Sequence, residues 1–573
     1  MTNSPMDTKC LDRTISGIRV GLLFALSATG LEMADAATPD ETEAYLTEAI
    51  TANQISGEPY ELDGSRIVFT NYYFIRPGNV IWQNDVGEMV NIVEENDKDP
   101  IYGPWDAQLH RPSSPYGIAL RVQAAERLGP ILKNEKPWEA GYVIFKTVLK
   151  DGDIYKAWGK ARNAGDCYYE SQDGIHWIRP VLGLKEFGGS RDNNLLENGP
   201  KGTVFIDPIA LPGERYKSIR GPQISFEAFK AFIEAHPDKW ETRAIRGPWR
   251  EPTKIRGISG SVSPDGIHWT KKELFTIEHS DGMETAWYDI HRKKYIVYTR
   301  TWVVGNRSDR WTGNPQTRTW PGEFHGPGRR AIGVMESDTF GNFDLSRTII
   351  EPVPGEVSPS EVFYTSIHST IPDAPEQHLM FVTVWDTRDD TCKIEVWSSH
   401  DGLVWDRIPG PPILETADFG QWDGGSIFSF PNLIELPNGD FALPYKGYNL
   451  PHKYPRGHMT VAPGYAIWPK GRIVAVEADE IGEFSTVGII PPGRRLLINA
   501  LTKRAGGVRV EIANINDEIF PGRSFNDCDP IQGDQYWAVV TWNGQEDLGF
   551  EEGDGVVIRF KLDRARIFGI EFE

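Results

Sequence analysis

Five acidic residues stand at the entrance to runs of apolar sequence: Glu139, Asp192, Glu284, Glu361 and Asp423. Each opens one unit of a repeat, so a radial arrangement of the units would bring several carboxylates to one axis. Cleavage of a glycosidic bond needs two opposed carboxyl groups. One is protonated and releases the leaving group; the other is ionised and activates water or attacks the anomeric carbon. Crowding separates their pKa values, because neighbouring carboxylates cannot all ionise cheaply. With 81 acidic residues in the chain, turn and capping carboxylates compete with this reading at every position.

The elements that must position these groups are read from a repeated turn. Ser171-Gln172-Asp173-Gly174-Ile175-His176-Trp177, Ser263-Pro264-Asp265-Gly266-Ile267-His268-Trp269 and Ser399-His400-Asp401-Gly402-Leu403-Val404-Trp405 share one pattern, and Ser337–Phe343 is a degenerate copy. Asp-Gly supplies left-handed positions for a hairpin, and the Trp returns into the next strand. The Asp, His and Trp of these turns repeat with them, which fits a structural role. Self-similarity at the interval of one small sheet is the mark of a radially repeated β architecture. The units run from 137 to 182, 192 to 271, 281 to 350, 360 to 411 and 422 to about 476. The expected fold is all-β: a five-bladed β-propeller over 67–480, six blades being the main competitor, with a segment near Ile67 to Trp82 closing the ring. From 481 to 573 alternating strands with turns at Ala505-Gly506-Gly507 and Asn543-Gly544 predict a β-sandwich.

Two insertions interrupt the repeats. From Ile224, the residues Phe226, Phe229, Phe232 and Ile233 lie at helical spacing before Pro237. Arg307 to Arg330 is an aperiodic loop containing Trp311, Arg318, Trp320 and His325. The N-terminus orders Lys9, Arg13 and Arg19, then the apolar run Val20 to Leu26, then Ala34-Asp35-Ala36. This predicts a signal peptide over 1–36 and a secreted or periplasmic protein, with 37–66 as a polar lead-in. The apolar run is too short to span a bilayer. A formal net charge of −21 argues against nucleic acid or an anionic membrane as partner. Cys10, Cys167, Cys392 and Cys528 have neither zinc nor redox spacing. No cofactor is required by the expected chemistry, although a structural Ca²⁺ held by carboxylates and carbonyls needs no sequence signature.

The turn motif resembles the Asp box of sialidases and related carbohydrate-active propellers. Lys136-Pro137-Trp138-Glu139, Arg191-Asp192-Asn193-Asn194 and Val557-Ile558-Arg559-Phe560-Lys561-Leu562 resemble words of glycoside hydrolase family 32, whose superfamily includes family 43. The invertase words Trp-Met-Asn-Asp-Pro-Asn, Arg-Asp-Pro and Glu-Cys are missing. The resemblance implies a carbohydrate substrate. It also implies a base or nucleophile on blade one, a stabilising Asp on blade two and an acid Glu on blade three: by position Glu139, Asp192 and Glu284. Asp207, in Phe205-Ile206-Asp207-Pro208, competes with Asp192. Glu361 and Asp423 would bind sugar hydroxyls or a cation. Arg300 and Trp302, beside the long insertion, and His452, after Tyr445-Lys446-Gly447-Tyr448, are further substrate-binding candidates. The expected activity is glycoside hydrolysis. The alternatives are a propeller lyase, with a His or Tyr base and an Arg neutralising a uronate (Tyr298 included), and a non-catalytic glycan-binding protein.

Overall fold

The computed structural model describes residues 59–77, 82–83, 89–90, 115–200, 202–241, 244–246, 254–280, 282–303, 329–352, 357–454 and 458–573. The expected signal peptide, and with it Cys10, lies outside them, as do Trp311, Arg318, Trp320 and His325. The chain divides into two units, 1–57 and 58–573, and everything described belongs to the second. Among the described residues no helix is long and apolar enough to cross a membrane.

Five antiparallel sheets follow one another along the chain and form the five blades of a propeller. Blade one is Val143–Asp151, Ile154–Ala161 and Gly165–Ser171, with a single bridge from Glu170 to Ile178 as the stub of a fourth strand. Blade two is Thr203–Ile206, Tyr216–Arg220, Ile258–Ser263 and Thr270–Thr276. Blade three is Thr285–Asp289, Lys294–Val303, Arg329–Ser337 and Arg347–Ile350. Blade four begins with Glu361–Ile371, Ala374–Asp386 and Thr391–Ser399. Blade five is Ser426–Ser429, Phe441–Tyr448 and Val461–Trp468. Its outer strand comes from far upstream: Glu126–Leu128 pairs with Tyr465–Ile467. Ring closure is therefore made by 126–128 and not by the segment near Ile67. Arg66–Ile67 instead pairs with Ile570–Glu571 of the C-terminal sheet.

The repeated turns join the third and fourth strands of their blades, and their geometry explains their residues. In the second copy, Asp265 Oδ1 accepts from the Ile267 and His268 N–H groups, both at 2.8 Å, and Ser263 Oγ accepts from Gly266 N–H at 2.9 Å. Gly266 has φ +81°, which a side chain rarely adopts. Its carbonyl accepts from Trp158 Nε1 of the preceding blade at 2.6 Å. Gly402 O takes Tyr298 Oη at 2.7 Å and Gly174 O takes Tyr465 Oη at 2.8 Å in the same way. Each box thus ties its own hairpin and docks it on an aromatic of the neighbouring blade. That role explains much of the Trp and Tyr content: Trp158, Tyr168, Tyr216 and Trp269 fill the space between blades one and two.

Beyond the propeller lies an eight-stranded sheet dominated by two long strands, Leu496–Asn514 and Val556–Phe572. Ala505-Gly506-Gly507 is not a hairpin. Both halves of Leu496–Asn514 pair with the same partner strand, and the extra residues are accommodated as a register shift between Thr502 and Gly507. The N-terminal segment joins this sheet through Tyr60–Glu61, Arg66–Ile67 and Ala119–Val122. The expected helix is present at Phe226–Ala235, capped by Ser225 Oγ on Ala228 N–H and burying Phe229 and Phe232.

Candidate functional site: the basic mouth of the propeller

Two inner strands carry a β-bulge, and the extra residue of each lines one of two adjoining cavities. In blade one the register steps from Phe145 to Thr147, leaving Lys146 as the extra residue; in blade four it steps from Phe363 to Thr365, leaving Tyr364. Bulges re-aim side chains in this manner. Lys146 lines a cavity of about 210 Å³ together with Thr203, Arg220, Arg256, Met283 and Glu284. Tyr364 lines an adjoining cleft that shares Gly282 and Met283 and adds Arg300.

Glu284 directly precedes the inner strand of blade three and is 5% exposed. Its backbone carbonyl accepts from Thr203 Oγ of blade two. Opposite it the chain must be glycine: a Cβ on Gly221 would stand 2.7 Å from Ser280 O and 3.1 Å from Glu284 Oε1. A second carboxyl group, Glu278, lies close enough for the Glu284 charge to act on it. Burial pushes Glu278 up to about 7, while hydrogen bonds from the Ser346 N–H and hydroxyl pull it down and the Glu241 and Glu284 charges add to the rise. Lys146 Nζ is paired with buried Asp166 Oδ1 at 3.1 Å.

Around Tyr364 the side chains form a compact group. His452 Nε2 is 2.7 Å from Tyr364 Oη. The guanidinium groups of Arg300 and Arg330 lie 5.0 and 4.9 Å from its ring centre, and Arg300 also donates to the Tyr364 carbonyl. Arg330 stands 5.4 Å from the Trp302 ring, which stacks on His279. Cations against aromatic faces are mutually stabilising. The arrangement can bind an anion, stack a sugar ring and move a proton.

Other residues singled out in the sequence lie elsewhere. Glu139 is fully buried, and its carboxylate is held by Arg179 Nε at 2.7 Å, Arg179 Nη2 at 3.1 Å and the Lys136 N–H at 3.0 Å. It does not line the cavity. Asp192 is exposed in the loop before blade two. Asp207 sits at the opposite end of the strand that brings Thr203 to the mouth, paired with Lys217 at 2.9 Å and Tyr295 Oη at 2.7 Å. Asp423 is buried in the ring closure, bound by Arg127 Nη1 at 2.7 Å and Tyr445 Oη at 2.8 Å. Glu361 is paired with Lys393 at 2.7 Å and lines a separate polar cavity on blade four. Tyr298 spends its hydroxyl on Gly402. Of the named residues, Glu284, Arg300, Trp302 and His452 belong to the mouth. Lys146, Arg220, Arg256, Arg330 and Tyr364 were missed. Lys146 alone had a signal, as a cation inside the apolar run 143–149. Among the described residues no group of three or more His, Cys, Asp or Glu side chains converges as a metal site.

No family model and no curated protein matches the chain. Solved structures that resemble it include a glycoside hydrolase (TM-score 0.35, 11% identity, 61% of this chain and 92% of that one). Others are an endo-arabinase from Bacteroides thetaiotaomicron (0.32, 14%, 61% and 99%) and a xylan β-1,4-xylosidase from Bacillus halodurans (0.31, 9%, 77% and 99%). At these identities the likeness concerns the fold alone, and the propeller assignment stands on the strand pairing.

Proposed function

We propose that the protein is a glycan-active enzyme, exported from the cell, that cleaves a glycosidic bond at the propeller mouth. The observation that carries this is Glu284: a buried carboxyl group facing a cavity walled by Lys146, Thr203, Arg220 and Arg256. Its role is to protonate the glycosidic oxygen as the bond to the anomeric carbon breaks. Hydrolysis is the first reading, and it needs a second group to activate water. Among the described residues, no second carboxylate lines the cavity with Glu284.

The Tyr364–His452 contact favours a second reading. A phenol flanked by two guanidinium groups and an imidazole suits a base that removes a proton beside a carboxylate, the first step of elimination. Product analysis on a panel of plant, algal and microbial glycans separates the two. Both reactions free reducing ends, but only elimination leaves an unsaturated sugar absorbing in the ultraviolet. Binding without either product would reduce the protein to a glycan-binding module.

A further inference from the structure

Cationic side chains dominate the described lining of the mouth. The cavity around Glu284 is lined by three cationic residues, Lys146, Arg220 and Arg256, and by one carboxylate. In a chain with a net charge of −21, composition does not produce such a lining. Lys146 is matched by Asp166. Arg220 is different. Among the described residues its guanidinium makes one hydrogen bond, from Nε to Ser259 Oγ at 3.3 Å, and no ion pair. Burial pulls it below the ordinary arginine range, against a weaker opposing effect of Asp166. A half-buried cation with no ion pair among the described residues costs free energy that a bound anion recovers.

The shape of the site selects the anion. A guanidinium offers a planar fork that matches a carboxylate with two parallel hydrogen bonds. The cavity, at about 210 Å³, is smaller than the ~300–1,000 Å³ of sites for drug-sized ligands, a size that suits a single sugar residue. Gly202 and Gly221 form part of the wall, which leaves backbone rather than side chain at the sugar's edge.

We infer that this cavity is a subsite for a uronic acid residue, with Arg220 holding its carboxylate and Lys146, Thr203 and Arg256 forming the wall around it. The inference rests on the glycan-active reading of the same mouth and narrows it to acidic sugars.

The test is calorimetric titration of the full-length protein with glucuronate, galacturonate, glucose, galactose and a sulfated galactose, repeated on Arg220→Gln and Arg220→Lys, with the melting temperature of each variant recorded. At least one uronate binds; the neutral sugars bind about 10- to 100-fold more weakly, the scale of losing a hydrogen bond to a charged group. Arg220→Gln loses this preference at an unchanged melting temperature, and Arg220→Lys recovers part of it. Equal binding of neutral and acidic sugars would overturn the subsite, as would preference for the sulfated sugar or an undiminished preference in a folded Arg220→Gln. Cleavage of a neutral glycan unaffected by Arg220→Gln would remove the subsite and leave the glycan-active reading intact. Uronate binding with no cleavage of any glycan would do the reverse.

Discussion

Glu139 and Glu284 open the inner strands of blades one and three, and both are buried, yet their surroundings make them opposites. Glu139 is closed in by Arg179, the Lys136 N–H and Tyr169, so every direction from its carboxylate leads to a protein donor. Glu284 faces a cavity, with a glycine held across from it. Glu139 sits in a turn four residues before its strand, whereas Glu284 abuts its own; the side chain's face and its partners decide whether a carboxylate holds the fold or meets a ligand. Asp423 repeats the lesson in blade five, where Arg127 from the ring-closing strand claims it.

The comparison predicts that loss of the two carboxylates will divide cleanly between activity and stability. Glu284→Gln should lower turnover on the natural glycan by roughly 10²–10⁴, with the melting temperature held. Glu139→Gln should instead destabilise by about 3–5 kcal/mol, the cost of stranding a buried partner, here Arg179, read as a lower urea midpoint. Activity per folded Glu139→Gln molecule should be retained. If that variant kept its midpoint and lost its activity, the two roles would have to be exchanged.

The seam between blades three and four differs from the mouth in burying a pair of imidazoles. There His368 Nε2 lies 3.1 Å from His378 Nδ1, packed by Trp287, Tyr298 and Trp405 and near Asp401 and His400. Burial holds His368 well below the ordinary imidazole range and His378 down to about 4. Unfolded, both titrate near ~6.5. As pH falls below that value, protons bind the unfolded chain first. Stability is therefore full above about 6.5 and declines toward about 4, where the folded His378 also protonates. Urea midpoints across that range should fall in the wild type and fall less steeply in His378→Gln. Equal slopes would remove the seam from the account.

The smallest expected effect is at the turns. Asp265→Ala removes two hydrogen bonds to backbone N–H groups at a partly exposed site, so stability should drop by about 1 kcal/mol. Turnover should hold. Lost turnover at an unchanged midpoint would make the box part of the site.

How much of this was legible follows from the same contrasts. The boxes announce themselves because the hydrogen bonds that shape each turn lie within seven residues; only the docking bond from the neighbouring blade is remote. The blades follow from them. Glu284 could be singled out by position, but Glu139 could not be distinguished from it, since Arg179 lies forty residues downstream. Ring closure by 126–128 is a pairing across more than three hundred residues and leaves no local mark. Tyr364 was hidden for another reason: a bulge decides its direction, and Glu361-Val362-Phe363-Tyr364-Thr365 reads as an ordinary strand.

The central claim is that Glu284 delivers a proton to the departing oxygen, and the leaving-group dependence of Glu284→Gln tests it most directly. Turnover of the variant and wild type is compared on two glycosides of the same sugar, one with a poor alcohol leaving group and one with an activated aryl group. The account predicts a large loss on the first and a much smaller loss on the second, because an acidic phenol departs with little need of a proton. Equal losses on both substrates would contradict it.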